Sequence, residues 1–313
     1  MGRTTKDYLL LYLKGLSMGG ADVIPGVSGG TVAFITGIYD ELINSIKAID
    51  LDTIKLLFQF RIADAWKKVN GNFLISILGG IITSLLSLSK LMTHLLNTYP
   101  IQVWSFFFGL ILVSSPLIFR DIKKWDWTTV LSGMFGIVIA YFITVLSPAE
   151  TPTSLPFIFF CGALAICAMI LPGISGAFIL LLIGKYEYMI TALINFNWPV
   201  ILVFVLGCFL GLVGFSKFLG WILTHYRFPA LALLAGFMIG SLNKVWPWKE
   251  VTEFRIDHLG NQVAAFDKSV WPSRFADVTQ SDPLVWQAIL FTAFGILLVV
   301  GLEKLAAYLK STN

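Results

Sequence analysis

The stretch GADVIPGVSGGT, residues 20–31, interrupts an apolar segment that runs from Tyr8 to Ile46. Pro25 lacks an N–H donor and disfavours helix at the residue before it, so a helix that enters this stretch should end there. The glycines that follow allow a sharp reversal of the backbone, and a second helix can start near Ser28. The stretch therefore predicts a helical hairpin that is broken at an elbow.

A second elbow of the same kind, LPGISG at residues 171–176, interrupts the apolar segment Pro156–Ile194. The two elbows belong to a longer internal duplication. At a constant offset of 147 residues, the chain repeats Gly15, Pro25, Gly26, Ser28, Gly29, Gly37 and Tyr39 as Gly162, Pro172, Gly173, Ser175, Gly176, Gly184 and Tyr186. At an offset of 127 residues, it repeats Gly80, Ser89, Lys90, Tyr99, Gly109 and Ser114 as Gly207, Ser216, Lys217, Tyr226, Gly236 and Ser241. We therefore predict two repeats, residues 1–150 and 151–313.

The composition is that of an integral membrane protein. Of the 313 residues, 57% are hydrophobic and 13% are charged, and the mean hydropathy is +0.82. Soluble domains carry about 25% charged residues, so this chain could not cover a surface that faces water. The net charge of +4 comes from basic residues in short loops, which favours membrane topology over nucleic-acid binding as the explanation.

Apolar segments long enough to cross a bilayer define the predicted architecture. The six candidate spans are Phe73–Leu96, Ile101–Phe119, Thr128–Leu146, Val200–Leu223, Phe228–Asn243 and Leu284–Leu302. Residues Lys47–Asn72 mix basic and apolar side chains, which is typical of an interfacial amphipathic helix. We predict an all-α integral membrane protein with six transmembrane helices plus two re-entrant helical hairpins. The first repeat holds a hairpin, the interfacial helix and three spans, and the second holds a hairpin, three spans and an outer loop at residues 244–283.

Three crossings in each repeat would invert the second repeat relative to the first. With the N-terminus in the cytoplasm, fifteen Lys and Arg residues lie inside and seven lie outside. This distribution follows the positive-inside rule. The expected topology is multi-pass, with both termini in the cytoplasm.

The elbows are the candidate binding site. The start of each second helix would offer free N–H groups, partial positive charge and a serine hydroxyl to an anion. The predicted phosphate-binding residues are Gly26, Ser28, Gly29, Gly30 and Thr31 in the first elbow and Gly173, Ser175 and Gly176 in the second, with Pro25 and Pro172 forming the turns. The alternative is close helix packing, which glycine and serine also permit.

Three further charged residues have two interpretations each. Lys90 and Lys217 occupy equivalent positions on equivalent spans and would suit one phosphate gate per leaflet, although such lysines usually extend to the lipid headgroups. Asp22 precedes the first elbow, and its repeat counterpart is Met169. It either caps the neighbouring backbone or carries the protons that couple transport to a gradient.

An enzyme is a remote alternative. The residues around Ser28 fit the glycine–serine pattern of intramembrane serine hydrolases, but such an enzyme needs a base. His94 and His225 lie at span ends, and His258 lies in the outer loop. The cysteines lie in apolar stretches without metal-ligand spacing. We expect no catalytic activity, no cofactor and no metal site.

The signature GADVIPGVSGGT, followed by GIYD at residues 37–40, strongly resembles that of a bacterial membrane family. The second signature, LPGISG with GKYE at residues 184–187, and VWPW at residues 245–248 extend the resemblance over essentially the whole chain. This family, formerly a domain of unknown function, is associated with undecaprenyl phosphate translocation. The resemblance implies that the lipid carrier for wall polymers returns from the outer to the inner leaflet of the bacterial cytoplasmic membrane.

The expected partners are therefore the polyprenyl phosphate, the bilayer and a proton or another coupling ion. The elbows alone would serve a secondary transporter or channel for a small soluble anion equally well.

Overall fold

The computed structural model describes residues 3–22, 28–87, 89–146, 151–256 and 262–311. The turn of the first elbow, which contains Pro25 and Gly26, lies outside these residues. The regular elements within these residues are helices, except for one β-hairpin near the C-terminal end. The helices of the first half are α1 (Thr5–Asp22), α2 (Gly29–Ile35), α3 (Tyr39–Lys47), α4 (Leu51–Phe58), α5 (Ile62–Lys68), α6 (Gly71–Ser87), α7 (Ser89–Thr98), α8 (Pro100–Arg120) and α9 (Trp127–Val145). The second half contains α10 (Leu155–Ile170), α11 (Gly176–Leu182), α12 (Tyr186–Ile194), α13 (Trp198–His225), α14 (Arg227–Ser241), β1 (Lys249–Ile256), β2 (Gln262–Ser269), α15 (Pro272–Thr279) and α16 (Val285–Ser311).

Three of these helices, α8, α9 and α13, are long and apolar enough to cross a membrane. Two sharply bent pairs, α5 with α6 and α11 with α12, would raise the number within the described residues to five if each pair is one span. The chain is therefore an all-α, multi-pass membrane protein. The predicted spans Phe228–Asn243 and Leu284–Leu302 correspond to α14 and to part of α16.

Two segments differ in detail from the prediction. The predicted span Phe73–Leu96 covers two helices, α6 and α7, and Leu88 between them lies outside the described residues. The predicted interfacial helix is two short helices, α4 and α5, because the backbone at Phe60 adopts a positive φ of 55° that no helix continues through. Phe58 and Phe60 are 81% and 88% exposed, as expected for side chains that contact lipid.

By its backbone contacts, the chain divides into two compact units, and each unit combines segments from both predicted repeats. Unit 1 is Met1–Met92 with Ala149–Arg227, and unit 2 is Thr93–Pro148 with Phe228–Asn313.

In unit 1, the first arm of each hairpin packs against a later helix of the same repeat, α1 against α6 and α10 against α13. Helix α1 crosses α6 where an added Cβ on Gly15 would collide with the carbonyl oxygen of Ile77, and one on Gly80 with that of Tyr12. Only glycine lets two backbones approach so closely.

Helices α10 and α13 cross in the same way. A Cβ on Gly162 would collide with the carbonyl oxygen of Phe204, and one on Gly207 with that of Phe159. These four residues are the counterparts, at the offsets of 147 and 127, of the four at the α1–α6 crossing. The glycines that revealed the duplication in the sequence therefore mark equivalent helix crossings.

Unit 2 contains two further crossings, and each joins a helix of one sequence half to a helix of the other. Helix α8 packs on α16, where Gly109 faces the carbonyl oxygen of Thr292 and Gly295 faces that of Phe106. Helix α14 packs on α9 by the counterpart contacts, which are Gly236 with the Gly133 carbonyl and Gly136 with the Leu233 carbonyl. The two halves thus exchange their last long helices in unit 2.

The outer loop, predicted at residues 244–283, holds an antiparallel β-hairpin and a short helix. Strand β1 pairs with β2 from Lys249 opposite Ser269 to Ile256 opposite Gln262. The ammonium of Lys244 lies 3.0 Å and that of Lys249 3.5 Å from Oδ1 of Asp267. Burial disfavours the charged form of Asp267, but the two ammonium groups outweigh it and hold the pKa of that carboxyl below its usual value. This cluster fastens the hairpin to the end of α14.

Candidate functional site

The first elbow caps its own second helix. Ser28 precedes α2 in an extended conformation, and its Oγ accepts a hydrogen bond from the N–H of Gly30 at 3.0 Å. The carbonyl oxygen of Ser28 accepts from the N–H of Thr31 at 2.9 Å. Ser28 and Thr31 are both fully buried. A serine in this position is a strong N-cap, so the sequence starts α2 where the prediction placed it.

Asp22 completes this cap. The N–H of Gly29 donates to Oδ1 of Asp22 at 2.7 Å, and a Cβ on Gly29 would lie only 2.6 Å from Oδ2. Of the two interpretations of Asp22, backbone capping is the one seen in the structure. The carboxylate occupies the place, in front of the helix, where a phosphate was predicted.

At the second elbow a serine again precedes the second helix, but the counterpart of Asp22 is not a carboxylate. Helix α10 ends at Ile170, Gly173 adopts a φ of 86°, and Ser175 precedes α11. The Oγ of Ser175 accepts from the N–H of Phe178 at 3.4 Å, a longer bond than that of Ser28. Met169 stands at the sequence position that corresponds to Asp22, and its Cβ would lie 3.4 Å from a Cβ on Gly176.

Two backbone donors are left at this elbow. Within the part of the chain that the structure describes, the N–H groups of Gly176 and Ala177 have no hydrogen-bond partner. Both groups begin helix α11, where intrahelical acceptors are missing. The second elbow therefore keeps donors that the first elbow has already satisfied.

The two elbows touch within unit 1. The hydroxyl of Ser28 donates to the carbonyl oxygen of Met169 at 2.9 Å and lies 3.3 Å from that of Leu171. In the opposite direction, the N–H of Gly173 donates to Oγ1 of Thr31 at 2.9 Å. A Cβ on Gly30 would collide with the carbonyl oxygen of Ile170, so glycine is needed for this approach.

Three groups that were predicted as phosphate ligands are therefore engaged in hydrogen bonds between the two hairpins. The Ser28 hydroxyl, the Thr31 hydroxyl oxygen and the Gly173 N–H form the contact between the hairpins. The sequence could not reveal this, because a serine that binds an anion and a serine that binds a carbonyl have the same signature.

The paired lysines of the sequence analysis are not part of this contact. Lys217 is exposed on α13, which is typical of a lysine that extends to lipid headgroups. Lys90 belongs to α7, and its side chain lies outside the described residues. Two other lysines, Lys14 and Lys185, reach the ends of the hairpins. Lys185 stands within the signature GKYE, and this position inside a repeated motif was the signal that could have identified it.

Residues 18–263 of the chain match the model of a protein family that is described as undecaprenyl phosphate translocase-like. The matched range includes both elbows. This chain belongs to the undecaprenyl phosphate translocase-like family. The family resemblance seen in the two signatures is thereby confirmed.

Two curated relatives carry the name polyprenyl-phosphate transporter. The protein from Vibrio cholerae is 46% identical over 307 residues, which cover 98% of this chain and 99% of the relative. The protein from Staphylococcus aureus is 36% identical over 253 residues, which cover 75% of this chain and 85% of the relative. No solved structure matches the chain significantly.

Proposed function

We propose that this protein transports a polyprenyl phosphate, undecaprenyl phosphate in particular, from the outer to the inner leaflet of the bacterial cytoplasmic membrane. The observation that carries the proposal is the near full-length match to a relative named polyprenyl-phosphate transporter. The return of this lipid would supply cell-wall polymer synthesis with its carrier. The protein acts as a transporter and not as an enzyme.

The proposed topology is six spans plus two re-entrant hairpins in an inverted repeat, with both termini in the cytoplasm. The distribution of basic residues supports this orientation. The equivalent glycine crossings of α1 with α6 and of α10 with α13 support the repeat. An inverted repeat gives a transporter two related openings, one toward each leaflet.

The headgroup is held at the elbows, and the tail remains in lipid. The contact of Ser28 and Thr31 with the second elbow closes the path between the hairpins. A phosphate that enters must part these groups and take over their hydrogen bonds. Phosphate oxygens are strong acceptors, so the N–H of Gly173 and those of Gly176 and Ala177 would bind them in place of neutral partners.

Asp22 couples this movement to protons in our proposal. Moving an anion inward against a negative interior costs about 2.3 kcal/mol of free energy per charge for each 100 mV. A proton carried with each charge cancels this cost. Asp22 is the carboxylate that reaches the elbow backbone, and protonation would weaken its bond to the N–H of Gly29.

Purified full-length protein in liposomes tests the proposal. Undecaprenyl phosphate is placed in one leaflet, and its appearance in the other leaflet is followed with and without protein. We expect the protein to accelerate the redistribution at least tenfold over the bare bilayer, a change that corresponds to about 1.4 kcal/mol of barrier. Release of a small soluble anion from the same liposomes without lipid redistribution would instead favour the anion-channel alternative.

A further inference from the structure

Lys185 carries a buried ammonium that the proposed elbow site does not use. It lies between Gly184 and the start of α12 and is 3% exposed. Its Nζ donates to the carbonyl oxygen of Thr151 at 2.7 Å and stands 5.9 Å from the ring centroid of Phe157. An ammonium has three donors. In the described ranges, the other two have no hydrogen-bond partner, and Lys185 takes part in no ion pair.

A buried cation without a carboxylate is costly in any fold, and more so at membrane depth. Such residues in membrane proteins mark the path of a substrate or an ion. The ring of Phe157 offers some stabilisation to the cation, but it accepts no hydrogen bond of the strength that a phosphate oxygen would.

The first hairpin also has an ammonium at the end of its second arm. Nζ of Lys14 donates at 2.8 Å to the carbonyl oxygen of Thr36, the residue that ends α2. At the offset of 147, Thr36 corresponds to Ile183, the residue that ends α11. The carbonyl oxygen of Ile183 accepts a hydrogen bond from Oγ1 of Thr151, the residue that also holds Lys185.

The two lysines are not counterparts in the duplication. Lys14 corresponds to Cys161, and Lys185 corresponds to Ile38. Lys185 nevertheless lies within electrostatic range of Cys161, the position that corresponds to Lys14. Each hairpin therefore has an ammonium near the end of its second arm, and the two halves supply it from different residues.

Helix capping does not account for this charge in the second hairpin. An ammonium near the last carbonyls of a helix stabilises it, and Lys14 makes that contact directly. In the second hairpin, however, the hydroxyl of Thr151 already binds the carbonyl of Ile183. Lys185 is therefore not needed as a cap.

We propose that Lys185 is a phosphate ligand, which receives the headgroup of a lipid phosphomonoester at the end of the second hairpin. The phosphate takes the place of the Thr151 carbonyl and binds the two remaining N–H donors. In the topology proposed above, Lys185 faces the outer leaflet and Lys14 faces the inner leaflet. This inference rests on the proposed function and names a contact for its substrate.

The test uses full-length protein in liposomes with undecaprenyl phosphate, and with uncharged undecaprenol as the comparison. The variant Lys185→Met should lower the apparent affinity for undecaprenyl phosphate about ten- to a hundredfold, as expected for the loss of a charge-assisted hydrogen bond. Lys185→Arg should keep most of the affinity, and Lys123→Met, an exposed lysine on another segment, should change nothing. Affinity for undecaprenol should be the same in all four proteins. If Lys185→Met does not fold, Lys185→Gln serves the same comparison.

A second test moves the positive charge to another residue, and so distinguishes a loss of phosphate binding from a loss of protein structure. The double variant Cys161→Lys with Lys185→Met recreates the arrangement of the first hairpin and should recover affinity over Lys185→Met alone. Transport by the wild type with unchanged affinity in Lys185→Met would overturn the inference and leave the proposed function standing. Lack of transport by the wild type would instead contradict the proposed function. A folded double variant that is no better than Lys185→Met would also count against the inference.

Discussion

The two elbows have the same sequence motif but different chemistry. In the first, the N–H groups that begin α2 are bound by Asp22 and Ser28. In the second, Met169 replaces the carboxylate, and the N–H groups of Gly176 and Ala177 have no partner among the described residues. The duplicated motif thus has its first N–H groups capped in one elbow and uncapped among the described residues in the other. We therefore propose that the second elbow binds the phosphate and that the first responds to it.

The largest expected effect is that of Gly173→Val. Its φ of 86° is strained for any residue with a Cβ and worst for a branched one, and its N–H joins the two elbows. Transport should be abolished while the protein still inserts into the membrane. The measurement is liposome transport together with size-exclusion behaviour, and the control is Gly214→Val, because a Cβ at Gly214 meets nothing within 4 Å. Normal transport by a well-expressed Gly173→Val protein would show that the elbows do not lie on the transport path.

Met169→Asp makes the second elbow resemble the first. The new carboxylate should bind the N–H of Gly176, as Asp22 binds that of Gly29, and compete with the phosphate. We expect the apparent affinity for undecaprenyl phosphate to fall about tenfold, the effect of one charge-assisted hydrogen bond. Met169→Asn, which lacks the charge, is the matched control. Equal affinity in Met169→Asp and wild type would show that the two elbows do not differ in the way described.

Asp22→Asn tests the other side of the comparison. Asparagine keeps the oxygen that accepts from Gly29 but cannot take up a proton, so the cap should survive and proton coupling should not. The variant should exchange lipid between leaflets without a gradient but lose its response to an imposed pH gradient. Asp22→Ala, which loses the cap as well, should also lower exchange. A gradient response like that of the wild type in Asp22→Asn would make Asp22 purely structural.

Lys217→Gln should have the smallest effect. The side chain is exposed on α13, so we expect transport within about twofold of wild type, as for a lysine that only anchors the helix at the headgroups. A severalfold loss of transport in folded Lys217→Gln protein would contradict this expectation and favour the interpretation of Lys217 as a phosphate gate.

The sequence predicted those features that depend on local chemistry. Pro172 and the neighbouring glycines predicted the break between α10 and α11, and Ser28 predicted the start of α2, because turn and cap preferences act over a few residues. The repeated glycines revealed the duplication, and the structure places several of them at close helix crossings. In unit 2, helices of one half pack on helices of the other, where Gly109 contacts Thr292 and Gly136 contacts Leu233. This pairing depends on tertiary contacts that no local sequence pattern encodes.

The site was less predictable than the fold. The pattern of Asp22 permits both capping and proton transfer. The structure shows the capping contact with the N–H of Gly29, and proton transfer stays a prediction. Ser28 was predicted to face an anion, but it binds the Met169 carbonyl from the other elbow, 141 residues away in sequence. Lys185 was missed because its importance depends on burial, which its place in the repeated motif GKYE does not reveal by itself.

The central claim is that the lipid phosphate binds at the second elbow, and protection of a single cysteine tests it most directly. Cys161, Cys167 and Cys208 are replaced, Ala177 is changed to cysteine, and labelling by a small thiol reagent is timed in liposomes. Undecaprenyl phosphate should slow the labelling at least severalfold, whereas undecaprenol should not, and a cysteine at Lys123 should react at one rate throughout. Labelling at Ala177→Cys that neither lipid slows, or that both slow equally, would contradict a phosphate site at this elbow.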